Sequence, residues 1–102
     1  MESEIKREYY ENGNIKSEKY FQNNQLHRED GPAESWHHEN GQIESEDYYQ
    51  NDIWHRENDP ASIWYDENGD IVKEEYWEYG EEMDVIKEMV IRGLQIEFSV
   101  IE

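Results

Sequence analysis

The chain has 102 residues, 27 of them acidic against 9 basic, for a formal net charge of −18. That balance opposes binding to nucleic acid phosphates or anionic membrane surfaces and favours basic partners. There is no cysteine, no apolar run near the roughly 20 residues of a bilayer span, and no cationic-then-apolar start in "MESEIKREYY". The expectation is therefore one soluble, cytoplasmic domain over residues 1–102 without disulfides.

Low hydrophobicity with high charge alone would suit a disordered chain. Four Trp and eight Tyr argue for a folded one, because each buries much area per residue while keeping a polar handle. From about residue 8 the elements recur with a 28-residue shift. "ENG" stands at 11–13, 39–41 and 67–69. Each is followed by an Ile (Ile15, Ile43, Ile71) and then by an aromatic pair (Tyr20-Phe21, Tyr48-Tyr49, Tyr76-Trp77). Asn-Gly is a strong hairpin signal, so Asn12-Gly13, Asn40-Gly41 and Asn68-Gly69 are predicted as tight type I′ turns with both residues at positive φ. Further turns are predicted at "QNN" 22–24, "QND" 50–52 and "EYG" 78–80.

A third corner recurs as "HREDGPA" at 27–33 and "HRENDPA" at 55–61. Pro32 and Pro60 lack an N–H and cannot sit in a central ladder, so each copy must turn there. Arg28 and Arg56 are expected to pair with acidic neighbours at these corners. The repeats span roughly 8–80, about two and a half copies. Beyond Glu81 the pattern changes. Met83, Ile86, Val90 and Leu94 fall at helical spacing, with Val85 and Met89 alongside, and Gly93 ends the run. A helix near 83–92 and a final strand through Ile96, Phe98 and Val100 are predicted. The helix is expected to cover the row Ile15, Ile43 and Ile71, or else to face a partner. The fold class is thus mainly β (α+β): an antiparallel meander of ~28-residue repeats with a C-terminal helix and short strand packed on it.

The sequence around "LHREDGPA" at 26–33 and "IWYDENG" at 63–69 resembles the MORN-repeat-variant proteins, β-hairpin repeats of bacteria, phages and large viruses, and in particular viral repeats of the "LHREDGPA" type. The resemblance covers about 70 residues. It implies a binding or scaffolding surface with no common chemistry, with an antitoxin role for some bacterial relatives and host cytoplasm as the location if the chain is viral. This chain departs from the pattern at Asp59, where the first copy has Gly31. That change bears on the backbone of the second corner, although Asp tolerates positive φ better than most residues.

No catalytic, metal or cofactor site is expected. His27 and His55 are repeat equivalents, roughly 9 Å or more apart by strand spacing, too far for shared zinc coordination. His37 and His38 complete no ligand set. "DENGD" at 66–70 lacks the spacing of a calcium loop. A hydrolase built on clustered carboxylates would need a deep pocket that a thin sheet does not offer. The residues point instead to recognition. Residues 1–80 hold 21 acidic and 7 basic residues, a net charge of −14, so the charge lies mostly on the repeats. Carboxylates repeated at strand spacing of roughly 4.8 Å can imitate a phosphate track. On that reading Glu44, Glu46, Asp47, Glu74 and Glu75 contact the basic, nucleic-acid-binding surface of a target protein, as phage anti-defence and anti-CRISPR inhibitors do. The alternative is a scaffold or antitoxin that docks a protein through aromatic residues, with Trp54 and Trp64 as anchors beside Trp36 and Tyr65.

Overall fold

A computed structural model describes residues 2–83. Ten strands follow in chain order: β1 (Ser3–Tyr9), β2 (Ile15–Gln22), β3 (Gln25–Leu26), β4 (Glu34–His37), β5 (Ile43–Asp47), β6 (Tyr49–Gln50), β7 (Ile53–Trp54), β8 (Ser62–Tyr65), β9 (Ile71–Glu78) and β10 (Glu81–Met83). The main sheet runs β1-β2-β4-β5-β8-β9-β10, every pair antiparallel, with β3 also paired to β2. β6 and β7 form a separate two-stranded ribbon. The mainly β, antiparallel meander predicted from the repeats is present. Its plate is one sheet thick, 54 × 37 × 17 Å. No helix occurs among the described residues, so none there is long and apolar enough to cross a membrane.

The turns divide differently from the expectation. Gly13, Gly41 and Gly69 take φ near +90°, but Asn12, Asn40 and Asn68 do not go positive. The Gly13 N–H donates to Tyr10 O at 3.0 Å and the Tyr10 N–H to Asn14 O at 2.9 Å. A type I turn therefore ends in a left-handed glycine, and the ladder slips there, between Glu8 and Tyr9. The same slip follows at Trp36/His37 and Trp64/Tyr65. The asparagines are present for their side chains. Asn12 and Asn40 Nδ2 donate to the carbonyls of Glu39 and Glu67, one repeat onward, at 3.0 and 3.2 Å. The type I′ turns lie at the other set of corners, where Asn23-Asn24, Asn51-Asp52 and Tyr79-Gly80 all have both φ values positive.

That geometry corrects the start of the predicted tail helix. The Tyr79-Gly80 turn returns the chain antiparallel, so Glu81, Glu82 and Met83 pair with Glu78, Trp77 and Tyr76. Met83 is thus a strand residue, one position beyond where the equivalent strands β3 and β7 end. The rest of the helix, with Ile86 and Val90, and the final strand lie outside the described residues.

The "HRE" corners are inter-repeat staples. His27 Nδ1 accepts the Asn51 N–H at 3.1 Å, and His55 Nδ1 accepts the Tyr79 N–H at 3.0 Å, each fastening a corner to the next type I′ turn. The Arg28 and Arg56 guanidiniums lie 4.0 and 3.9 Å from the ring centres of Tyr20 and Tyr48. Both also donate to a proline carbonyl, Pro32 at 3.3 Å and Pro60 at 3.2 Å. The expected acidic pairs form as well. Arg28 meets Asp30 at 3.0 Å, whereas in the second copy, with Asn58 in that place, Arg56 meets Asp59 at 4.0 Å. Asp59 carries no left-handed φ; Asn58 does, at 65°.

What the sheet buries is small. Ser17, Ser45 and Ser62 are at most 2% exposed, Ala33 and Ala61 are fully covered, and Ile63 is the one large aliphatic side chain below 10% among the described residues. The expected Ile row is not the core. Ile15 and Ile43 are half-buried and Ile71 is exposed. Each sits opposite the residue that follows a ladder slip, at the end of the sheet rather than its middle.

Candidate functional site: the tryptophan face

Because side chains alternate along a strand, register decides which residues share a face. One cross-strand row reads Glu8, Ser17, Trp36, Ser45, Trp64, Lys73, and its neighbour reads Lys19, Glu34, Asp47, Ser62, Glu75. These two rows form one face. The other face carries Arg7, Glu18, Ser35, Glu46, Ile63, Glu74.

The five acidic residues predicted to act together are therefore divided. Glu44, Glu46 and Glu74 lie on one side, while Asp47 and Glu75 lie on the other with Trp54 and Trp64. Two of the first group have internal partners. Glu46 accepts the Tyr65 hydroxyl at 2.7 Å, and Glu44 lies 3.8 Å from His38 Nδ1. Burial, then the Glu46 bond, pushes the Tyr65 phenol up to about 12.

On the tryptophan face a depression of about 330 Å³ is lined by Trp36, Ser45, Asp47, Trp54, Trp64 and Glu75, among others. Trp36 and Trp64 stand two strands apart with Ser45 between them, and Trp64 remains 40% exposed. At one end Tyr49 stacks on Trp54, which meets Trp77 at a tilt, with ring centres 5.9 and 4.7 Å apart. Glu34 accepts the Trp36 indole N–H at 2.5 Å. Burial pushes the Tyr49 phenol up to about 12, with Asp47 and Glu34 adding to the effect. It stays neutral and packs.

Asp47 is 8% exposed. Burial raises its pKa above 3.8, and the neighbouring Glu34 and Glu75 charges push the same way, against the Ser62 hydroxyl and the Trp54 indole N–H. The Trp54 N–H acts at a geometry short of a hydrogen bond, so Trp54 Nε1 is buried without a partner, as are Ser45 Oγ and Trp77 Nε1. A carboxyl whose folded pKa lies above its unfolded value binds more protons when folded. Its penalty is absent below the unfolded value and fully present above the folded one. Asp47→Asn is thus expected to melt higher than the wild type at neutral pH, with the gap closing as pH falls through the carboxylate range. Thermal melts across that range check it, and a lower melting temperature at neutral pH would contradict it.

A second depression, about 380 Å³, lies at the corners beside Arg28 and Arg56. Both guanidiniums are already stacked and hydrogen-bonded, so it is a consequence of corner packing. Among the described residues no three His, Asp or Glu side chains are placed to hold a metal ion.

Glu34 and Ser45 were not singled out in the sequence; Tyr49 and Trp77 entered it only as members of the repeated aromatic pairs, and Trp36 only beside the anchors Trp54 and Trp64. The repeat contained a signal for some of them, since Ser17 matches Ser45 and Trp36 matches Trp64 at the 28-residue shift. It did not say that serine and tryptophan would alternate across strands.

No curated protein and no solved structure matches the chain. The family model for the MORN repeat variant matches residues 5–28, 33–51 and 61–79, more than half of the chain. Each matched segment ends at or next to a type I′ turn or at the Arg28 corner, the places where one repeat is fastened to the next. The chain therefore belongs to the MORN-repeat-variant family.

Proposed function

We propose that this chain is a non-enzymatic protein-binding module that docks a basic partner on its tryptophan face. One observation carries the reading. The sheet buries its serines and leaves Trp64 40% exposed on the same face, directly across from the buried Ser45. A side chain of that size left open beside covered neighbours is available to a partner. Membership of a repeat family agrees with a scaffolding surface, and the net charge of −18 selects a basic partner.

A second reading, nucleic-acid mimicry by an inhibitor of phage anti-defence or anti-CRISPR type, draws on the same charge. It uses the opposite face, through Glu44, Glu46 and Glu74. Two of those carboxylates are engaged internally, which shortens the track available to a target.

The test is partner binding by the wild type, by Trp64→Ala and by the triple change Glu44→Lys, Glu46→Lys, Glu74→Lys. Trp64→Ala is expected to cost about 2 kcal/mol of binding, more than tenfold in Kd, and to do so at high as well as low salt. Loss of binding in the triple variant alone, together with competition by a nucleic acid for the same partner, would establish mimicry instead.

A further inference from the structure

We infer that the groove between Trp36 and Trp64 receives the ammonium group of one lysine side chain, unmodified or methylated, presented by the docked partner. The inference rests on docking through this face and adds to it the group that is recognised.

The walls are aromatic. Trp36 on β4 and Trp64 on β8 flank β5, about two strand spacings or roughly 10 Å apart at the backbone. Indole faces attract cations, most strongly where water is excluded. The chain already uses this wall for that purpose, since Lys19 Nζ lies 5.4 Å from the Trp36 ring centre.

The floor is polar and unsatisfied. Ser45 is 1% exposed, lines the groove, and its Oγ has no hydrogen-bond partner. A buried hydroxyl without a partner costs about 1–3 kcal/mol, so it marks a place where a donor belongs.

The charge fits a cation. Glu34 and Asp47 are cross-strand neighbours, and like charges so placed repel each other. Neither has a cation within 4.0 Å among the described residues. Lys73 offsets only Glu75, at 3.9 Å and with its side chain 60% exposed. A guest cation relieves the repulsion and lowers the cost of the buried Asp47 charge.

The acceptors favour ammonium over guanidinium. They come from three strands, Glu34 on β4, Ser45 and Asp47 on β5 and Glu75 on β9, strung along the groove at strand spacing rather than offered as one planar pair. Arginine needs a planar pair of oxygens for its fork, whereas lysine turns three donors about a compact head. The 330 Å³ space admits a butylammonium stem.

The probe is n-butylammonium chloride, titrated into the ¹⁵N-labelled full chain against sodium chloride at matched ionic strength. The readout is the indole N–H resonances of Trp36, Trp54 and Trp64. The expected result is a saturable shift with butylammonium and with tetramethylammonium, and none with sodium. Asp47→Asn and Trp64→Ala should each weaken it at least fivefold, while Glu74→Lys on the opposite face leaves it unchanged. Equal shifts with sodium, an undiminished shift in Asp47→Asn, or tighter binding of n-butylguanidinium would each overturn the assignment. Should butylammonium fail while Trp64→Ala still abolishes partner binding, the groove inference falls and the docking face stands. Should butylammonium bind while Trp64→Ala leaves partner binding intact, the docking reading falls, and with it the assignment of the cation to a partner's lysine.

Discussion

Ile63→Ala is expected to lower the melting temperature by about 10 °C or more. Removing a buried aliphatic side chain of this size costs about 2–5 kcal/mol, and in a chain this small each kcal/mol moves the midpoint by roughly 4–8 °C. The site is 7% exposed and is the one large aliphatic position buried to that degree among the described residues. The 28-residue equivalent of Ile63 is Ser35, itself buried at 6%, so the two copies do not share this anchor. Among the described residues no helix stands over the sheet to close the cavity. Ile71→Ala is the control. At 53% exposure it should change stability by no more than about 0.5 kcal/mol. Differential scanning calorimetry on both variants checks the pair, and equal losses would restore the Ile row as a core.

Arg56→Ala is expected to cost about 1–3 kcal/mol, and the loss should persist in high salt. The guanidinium stacks 3.9 Å from the Tyr48 ring centre and donates to the Pro60 carbonyl at 3.2 Å, so its removal loses a ring contact and leaves an acceptor short. The pair with Asp59, at 4.0 Å and 55% exposed on the acid, adds little that salt could screen. Arg56→Lys separates charge from shape. Lysine keeps the charge but not the planar face or the fork, so it should recover less than half of the loss. Urea melts at two salt concentrations decide the matter. Full recovery by lysine would assign the corner to charge alone.

The repeat, the strand class and the places where the chain turns were all legible in the residues. Local chemistry determines them: proline cannot donate to a ladder, Asn and Gly accept positive φ, and matching residues 28 apart must do matching work. The turn types were not legible. "ENG" satisfies a type I′ pattern as well as a type I turn with a bulge, and the choice went to the arrangement that lets Asn12 and Asn40 reach the next repeat. Alternation alone separates Glu46 from Asp47 and Glu74 from Glu75; what was not legible is which of each pair would share a face with Trp36 and Trp64, because the cross-strand register decides that.

Composition and repetition by themselves determined an acidic, β-hairpin repeat with stapled corners. Only the tertiary structure decided that Ser17, Ser45 and Ser62 would be buried and Trp64 left exposed. Burial in a single sheet depends on which side chain stands across the strand, and a Trp beside a Ser covers it whatever either residue prefers alone. The same pairing placed Asp47 at 8% exposure between Glu34 and Ser62, next to aromatic rings from a different hairpin. No short-range pattern encodes the meeting of Glu34, Asp47 and Ser62, because they lie on three strands joined only by register.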